Sequence, residues 1–480
     1  MRLAAVWRWH DDPRLVAFAA TPVGRIVLWL AAVLLAAPEY RTWVAVVLPV
    51  VLARPARRND CLALAALGVL YVRLGPTDLM AASPVRLAVM PAVLGLLYVV
   101  YLAVRRFREL PPAVRRSPLA ALHVSMLGTL AVIMLVGRRL EANPGHPLLP
   151  VVLALETLVP FLLWRASYLV LSGRRGSVRT TRFRDHLGYL LPVWGGSQVP
   201  YGKGHDYLAE RSVESAAALA SVRLSGLKLL ALAWVWTGGL VVFNAATRGI
   251  PAPGLEWLAE LSPGIPSLRA AVSAGSSIPW LERWCAVGAG FLADILWLAS
   301  WGHAIIGVLR LLGFRVFRNT YKPLLAPSVV EFWNRYYFYF KELLVEFFFY
   351  PTYLATSRLT PRVRIFLAVM ASAALGNLYF HLVRDFDEFF LAGPDLLVSR
   401  LSGRMTYSLL LGLGVYVSMI REQGRRGHPA PAPGLSTSLR QWRARIGVWL
   451  FFATLHVWNV GFLHLTWGER WRFCLALIGL

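Results

Sequence analysis

Charged side chains are scarce in this chain of 480 residues: Asp, Glu, Lys and Arg make up 16% of it, whereas hydrophobic residues make up 57%. A soluble protein of this length needs more charged surface than that. The apolar residues also form runs long enough to cross a bilayer, such as 87–104, 119–136 and 148–171. Because these runs are apolar on nearly every face and do not alternate, they exclude a porin-like barrel. The composition predicts a polytopic helical membrane protein.

Cysteine is also rare. Cys61, Cys285 and Cys474 each lie inside or beside an apolar run, and their spacing supports no disulfide framework, zinc site or redox pair. The sequence has neither a Walker A motif nor a glycine-rich dinucleotide fingerprint, so no ATP hydrolysis and no bound nucleotide cofactor are indicated. No inverted repeat is visible, which weakens a transporter interpretation. The first long apolar run starts near Ile26 without a preceding cleavage site, so we expect no cleaved signal peptide.

Acidic residues are half as frequent as basic ones, 25 against 50, which gives a net charge of +25. The arginines cluster in short loops between apolar runs, around 54–58, 105–116 and 173–184. Such clusters are typical of the positive-inside signal and of contact with anionic lipid headgroups. We therefore expect membrane lipids as partners and no nucleic acid. Successive loops cannot all be cytoplasmic unless some of the predicted spans are merged or re-entrant.

The apolar runs predict an all-α bundle of about ten to eleven transmembrane segments, with re-entrant or interfacial helices around a central tunnel. The expected spans lie near 24–53 (either one span or two segments broken at Pro38 and Glu39), 61–80, 87–104, 119–137, 147–172, 226–246, 284–312, 363–383, 405–420 and 446–465. We expect a single integral membrane domain over 1–480. Its parts are N-terminal helices (1–172), a polar connection with Gly and Pro (173–225), a core (284–390) and C-terminal helices (391–480).

Three stretches do not fit simple spans. Residues 188–204 are rich in Gly and Pro, which predicts either an ordinary loop or irregular backbone buried in the protein. Residues 321–354 mix charges with aromatic residues, which favours an interfacial or re-entrant amphipathic helix. Residues 421–445 are basic and proline-rich and are expected to form a mobile loop.

Five histidines lie within apolar sequence: His123, His303, His381, His456 and His464. A lone histidine in such a run is more often a packing residue than a catalyst. His381 is the exception, because Asp385 follows it by four residues, on the same face if the helix continues. A carboxylate placed there would fix the imidazole tautomer, as a general base requires. His456 and His464 are eight residues apart and form a possible second polar site.

Five ordered segments between Ala293 and His381 resemble motifs of a known family. They are Ala293–Ile295, Ile306–Phe314, Asn319–Pro323, Ser328–Arg335 and Phe348–Pro351. In order and spacing they are similar to motifs of the membrane-bound O-acyltransferases, in particular the bacterial branch that includes alginate O-acetylases and teichoic-acid D-alanyl transferases. Residues 191–200 are more weakly similar to an earlier element of the family. The resemblance implies that 284–390 is a catalytic core.

The chain departs from the family at one place that matters. Bacterial members usually carry a histidine where this sequence has Tyr337, whereas the second motif histidine, the essential one in the family, falls on His381. Other branches place an asparagine or aspartate in the first motif, a part that Asn334 could take. The departure also leaves room for a chain that keeps the fold and has lost the reaction.

The resemblance implies O-acyl transfer at the inner (plasma) membrane, by a multi-pass enzyme. An acyl thioester, either acyl-CoA or an acyl carrier, would be co-substrate, and the acceptor would be a hydroxyl of an envelope glycan or glycolipid. A second envelope protein could receive or deliver the acyl group. The catalytic candidates are His381 and Asn334, and the substrate-binding candidates are Glu331, Trp333, Arg335, Tyr337, Asp294 and Asp385.

Structural interpretations stand beside these roles. Glu331, Asn334 and Arg335 could instead hold an interfacial helix by ion pairing and capping, and Trp333 could be an interface anchor. Asp294 could bond across helices, which we favour. Two alternative functions also stay open, a non-catalytic subunit of an envelope assembly and a transporter or flippase.

Overall fold

The computed structural model describes residues 8–74, 83–143, 145–392, 394–425, 435–461 and 465–480. Over these ranges the chain is all-α, as predicted, and forms no β-strand. An isolated antiparallel bridge joins Ser212 to Phe314. His464 lies outside the described residues.

Helices α1 to α11 occupy the first half of the chain. They are Pro13–Ala20 (α1), Pro22–Leu35 (α2), Pro38–Ala53 (α3), Arg58–Arg73 (α4), Ser83–Arg105 (α5), Pro112–Arg116 (α6), Pro118–Leu140 (α7), Leu149–Arg175 (α8), Phe183–Leu190 (α9), His205–Glu210 (α10) and Ala216–Arg248 (α11). The predicted break at Pro38 is confirmed, because α2 ends at Leu35 and α3 begins with that proline. Proline favours the first helical position, where its missing N–H costs nothing.

The second half contains α12 to α23. These helices are Glu256–Glu260 (α12), Leu268–Ala274 (α13), Trp280–Leu311 (α14), Val329–Tyr336 (α15), Phe338–Leu344 (α16), Tyr350–Ala355 (α17), Pro361–Val369 (α18), Asn377–Arg384 (α19), Phe386–Ala392 (α20), Pro394–Arg425 (α21), Leu435–His456 (α22) and Trp467–Leu477 (α23). Two π-helical segments, Val345–Phe349 and Met370–Gly376, connect α16 to α17 and α18 to α19.

Within the described ranges, six helical stretches are long and apolar enough to cross a membrane. They are Arg86–Arg105, Pro118–Leu140, Leu149–Arg175, Ala216–Arg248, Trp280–Leu311 and Pro361–Arg384. Helices α1 and α2, bent by 98°, would form a seventh if together they made one span. The count of ten to eleven is not confirmed. Helices α3 and α4 are only 16 residues long, short of the roughly 20 that a span requires, and α21 and α22 carry several arginines.

The residue contacts divide the chain into two compact units. The first contains residues 1–232 and 303–317, and the second contains residues 233–302 and 318–480. In the second unit, Phe332 is fully buried and packs 4.0 Å from Phe452, measured between ring centroids. This stacking fixes α15 against α22 within the unit.

The glycine-rich stretch 188–204 is irregular after α9 ends at Leu190, and most of it is buried. Gly195 and Gly196 have φ of 70° and 110°, which side chains with a Cβ rarely adopt. Arg165, only 1% exposed, donates to the carbonyl oxygen of Ser197 at 3.1 Å. The structure therefore favours buried irregular backbone over an ordinary loop.

The other two unusual stretches have different outcomes. Residues 321–354 fold into short helical pieces, none of them long enough to span a membrane. The prediction of a loop over 421–445 is wrong at both ends, because α21 continues to Arg425 and α22 begins at Leu435. The arginines in these end segments suit helices as well as loops, so charge alone misplaced the boundaries. Residues 426–434 lie outside the described ranges.

Candidate active site

Helix α19 carries the histidine that the sequence singled out. A π-helical segment precedes it and packs against the other π-helical segment. The two come so close that a Cβ on Gly376 would lie 2.7 Å from the ring of Phe348. Asn377 and His381 are four residues apart on α19, so they lie on one face of the helix.

That face borders a cavity of about 290 Å³ within the second unit. Aromatic rings form much of its wall, and polar groups from α14, α15, α19, α21 and the end of α22 complete it. The lining residues are Phe291, Asp294, Trp297, Leu298, Phe332, Trp333, Tyr336, Tyr337, Phe340, Asn377, His381, Arg384, Tyr407, Phe452, His456 and Asn459. Aromatic and apolar walls with several convergent polar groups are typical of a small-molecule site.

His381 is 9% exposed, and its Nδ1 is buried without a hydrogen-bond partner. The prediction that the Asp385 carboxylate orients His381 is wrong. Helix α19 ends at Arg384. The Asp385 carboxylate accepts two hydrogen bonds from the Arg384 guanidinium, at 2.8 and 3.1 Å, and also forms an ion pair with buried Arg404. Two cations attract the carboxylate more strongly than a neutral imidazole would. Asp385 therefore neither orients His381 nor lines the cavity.

Asn377 is a cavity residue that the sequence did not identify as functional. It is 1% exposed, and neither the oxygen nor the nitrogen of its amide has a partner. A buried amide without hydrogen bonds costs about 1–3 kcal/mol, so such groups in native proteins call for an explanation, for example a ligand that supplies the missing bonds. Its place in an apolar run beside Gly376 was the available signal.

Asp294 bonds across helices, as we favoured, and its partner is His456. His456 Nε2 lies 2.7 Å from Asp294 Oδ2, and both side chains line the cavity. The sequence had paired His456 with His464 instead. Ionisable residues inside apolar helices are energetically costly when unpaired, so they are expected to pair with each other. Asp294 and His456 lie far apart in the sequence, so residue spacing within one helix does not reveal this pairing.

Two adjacent tyrosines add hydroxyl groups to the cavity. Burial, and after it the nearby Asp294 carboxylate, raises the pKa of the Tyr336 phenol well above its usual value. Tyr336 therefore stays protonated at neutral pH and can donate a hydrogen bond. Tyr337, which stands where the family has its first histidine, also lines the cavity. Its ring lies 5.4 Å from that of Phe340.

Asn334 faces a different space. A neighbouring cavity of about 200 Å³ is bounded by Asn334 and Trp333 of α15 and otherwise mainly by apolar side chains of α16, α18, α21 and the two π-helical segments. Trp333 borders both cavities. The two catalytic candidates, His381 and Asn334, therefore lie in adjacent cavities with Trp333 between them.

Glu331 and Arg335 line neither cavity. They form an ion pair one helical turn apart on α15, with the arginine side chain 29% and the glutamate 34% exposed. The N–H of Glu331 also bonds to the side chain of Ser328, which caps the helix. The geometry agrees with the structural interpretation of these two residues, and their role in substrate binding stays a prediction.

A larger cavity of about 490 Å³ belongs to the first unit and contains none of the predicted site residues. It is lined by Arg58, Asn59, Asp185, His205 and Glu214 together with aromatic and apolar groups. Size alone does not make it the reaction site, because the polar groups predicted for the chemistry all lie elsewhere.

Comparison of the sequence with protein-family models gives no match, and comparison with curated proteins gives none either. The likeness to the O-acyltransferases therefore rests on the sequence motifs and stays a prediction. Four of the residues that it indicated, Asp294, Trp333, Tyr337 and His381, share one cavity.

Proposed function

We propose that the chain is a membrane-bound O-acyltransferase. It transfers an acetyl or other short-chain acyl group from a thioester donor to a hydroxyl of an envelope glycan or glycolipid. One observation supports this most strongly: a cavity bordered by the essential motif histidine also holds a buried amide and a protonated tyrosine. Acyl transfer requires this set, a base for the hydroxyl and donors for the oxyanion.

In the proposed reaction the acceptor hydroxyl attacks the thioester carbonyl in this cavity. The imidazole of His381 takes the hydroxyl proton as the new C–O bond forms. The Asn377 amide and the Tyr336 hydroxyl donate to the carbonyl oxygen as it gains charge, each donor contributing up to about 3 kcal/mol in a dry site. The C–S bond then breaks with its electron pair staying on sulfur, and the sulfur takes up a proton and leaves as the thiol. No covalent acyl-enzyme is needed.

The smaller cavity beside Trp333 suits the acyl group itself. Its volume of about 200 Å³ and its mainly apolar wall fit a short acyl chain. Trp333 borders both this cavity and the one that His381 lines. Asn334 would then contact the acyl end of the donor, not the acceptor. This assignment keeps Asn334 in the site with a binding role.

The remaining parts of the proposal concern the setting. Six apolar helices support a membrane location, and the basic loops favour an inner membrane with anionic lipids on the cytoplasmic side. A second envelope protein could deliver or receive the acyl group. A non-catalytic role is the alternative, favoured by one observation, the tyrosine at position 337 in place of the family's first histidine.

The test is transfer of a radiolabelled acetyl group from acetyl-CoA to envelope glycans in membranes that contain the chain. We expect label with the intact chain and its loss in His381→Ala and His381→Gln. His146→Ala is the control, because His146 lies in a loop of the first unit, where its ring accepts the N–H of Leu148 at 3.2 Å. Equal labelling by the intact chain and both His381 variants would contradict the proposal.

A further inference from the structure

The contact between Asp294 and His456 is more than a link between two helices. Asp294 lies within α14, and His456 is the last residue of α22. The carboxylate holds Nε2 of the ring at 2.7 Å. A carboxylate at this distance fixes the orientation of the imidazole ring. The opposite ring nitrogen, Nδ1, is then the position from which a proton can be given to a substrate.

The pair is mounted on rigid structure but is open on one side. Its neighbours Ile295 and Val457 are 6% and 0% exposed. The side chains of Asp294 and His456 are themselves 44% and 22% exposed and border the cavity. An ionisable pair inside a membrane protein usually faces the bundle interior or a water-filled cavity and is by default a candidate functional site. This one faces the space that the proposed reaction uses.

His381 and His456 border one small cavity but differ in their partners. Both side chains form part of the wall of this cavity of about 290 Å³. His381 has no carboxylate partner, since Asp385 is taken by Arg384 and Arg404. The two rings therefore differ in what fixes them, which allows one to take up a proton while the other donates one.

Building on the proposed function, we infer that His456 is a second catalytic residue, the general acid that protonates the leaving sulfur, and that Asp294 positions it. His381 takes the hydroxyl proton while the oxygen attacks the acyl carbon. As the C–S bond breaks, its electron pair stays on sulfur, which receives the Nδ1 proton of His456. One proton is taken up and one is released, and exchange with solvent in the cavity restores both rings.

This division of labour can be tested with two donors that carry the same acetyl group. Acetyl-CoA has an alkyl thiol leaving group that needs a proton, whereas S-(4-nitrophenyl) thioacetate releases a stable thiolate that does not. We expect His456→Gln and Asp294→Asn to lower kcat with acetyl-CoA by about 100-fold. With the nitrophenyl thioester, the same variants should lose less than about 5-fold, because the lost function is no longer needed. His381→Gln should lose activity equally with both donors.

The outcomes separate the two proposals. Equal losses with both donors in His456→Gln, or no loss with either, would overturn the acid role and leave acyl transfer standing. An intact chain that transfers acetyl from neither donor to any envelope acceptor would overturn the proposed function and this inference with it. Glutamine and asparagine preserve the hydrogen bond between the two positions, and thermal unfolding of each variant in detergent checks that the fold is retained. Either variant alone provides the donor comparison if the other does not fold.

Discussion

Arg470 offers the sharpest test of how the C-terminal part of the second unit is held together. It is 1% exposed, and its guanidinium donates to the backbone oxygens of Val457 at 2.6 Å, Val460 at 2.7 Å and Leu465 at 3.4 Å. These carbonyls follow the end of α22, where no further helical turn can satisfy them. Burial lowers the pKa of Arg470 only to about 10, so the side chain is charged at neutral pH.

We expect Arg470→Met to destabilise the unit by about 3 kcal/mol. Methionine has a similar length but no donor, and each buried carbonyl left without a partner costs about 1–3 kcal/mol. The variant no longer has to desolvate a guanidinium, and this gain offsets part of the loss. The net destabilisation is therefore smaller than the cost of three lost hydrogen bonds. For a unit of this size the change corresponds to a fall in Tm of roughly 10 °C.

The matched control is Arg472→Met, two residues along the same helix. Arg472 is exposed and donates a 3.4 Å hydrogen bond to the backbone oxygen of Gly468 on its own helix. The Tm of this variant should therefore move by no more than about 2 °C. Thermal unfolding of both variants in the same detergent, followed by tryptophan fluorescence, makes the comparison. Equal Tm values for the two variants would refute the claim that Arg470 holds the end of α22.

Three further predictions concern other parts of the chain. Burial opposes ionisation of Asp206, but hydrogen bonds from His205, Ser177 and Ser172 prevail and lower its pKa to about 2. Its contribution of about 2 kcal/mol to the free energy of unfolding is therefore present above pH 4 and lost as the pH falls towards 2. Asp206→Asn should remove this pH dependence and flatten the stability profile between those values. Gly226→Val should lower Tm by several degrees and Gly238→Val much less. A Cβ on Gly226 would lie 2.8 Å from the Gly307 oxygen, whereas the space around Gly238 is open. Similar Tm values for the two variants would contradict the close helix packing at Gly226. Asn377→Leu should keep the fold but lower kcat for acyl transfer about 100-fold with KM little changed, and a variant with undiminished kcat would remove this amide from the oxyanion site.

Much of the fold could be predicted because the signals are local. Apolar runs of sufficient length indicate helices, and Pro38 marks a helix start, so both follow from a short stretch of sequence. The number of spans could not be predicted in the same way. Whether a 16-residue helix such as α4 or an arginine-bearing helix such as α22 crosses a membrane depends on its neighbours, which the sequence of that helix does not specify.

The site divides along the same line. Trp333, Tyr337 and His381 could be predicted as cavity residues because ordered motifs carry them. The contact between Asp294 and His456 could not, since it joins helices far apart in the chain. Asp385 was misjudged for a related reason: the spacing to His381 is correct for one helical face, but the cation that competes for the carboxylate, Arg404, comes from another helix.

The π-helical segment Met370–Gly376 determines the direction in which the side chains of α19 point. Each residue of an α-helix turns the chain by about 100°, so deleting one residue from this segment would rotate Asn377 and His381 by about that angle relative to Pro361–Val369. Both side chains would leave the cavity wall together, although neither had been substituted. Deletion of a single residue at this point would therefore act as strongly as removal of the histidine. The extra residue of the π turn is as much a part of the active site as the side chains that it orients.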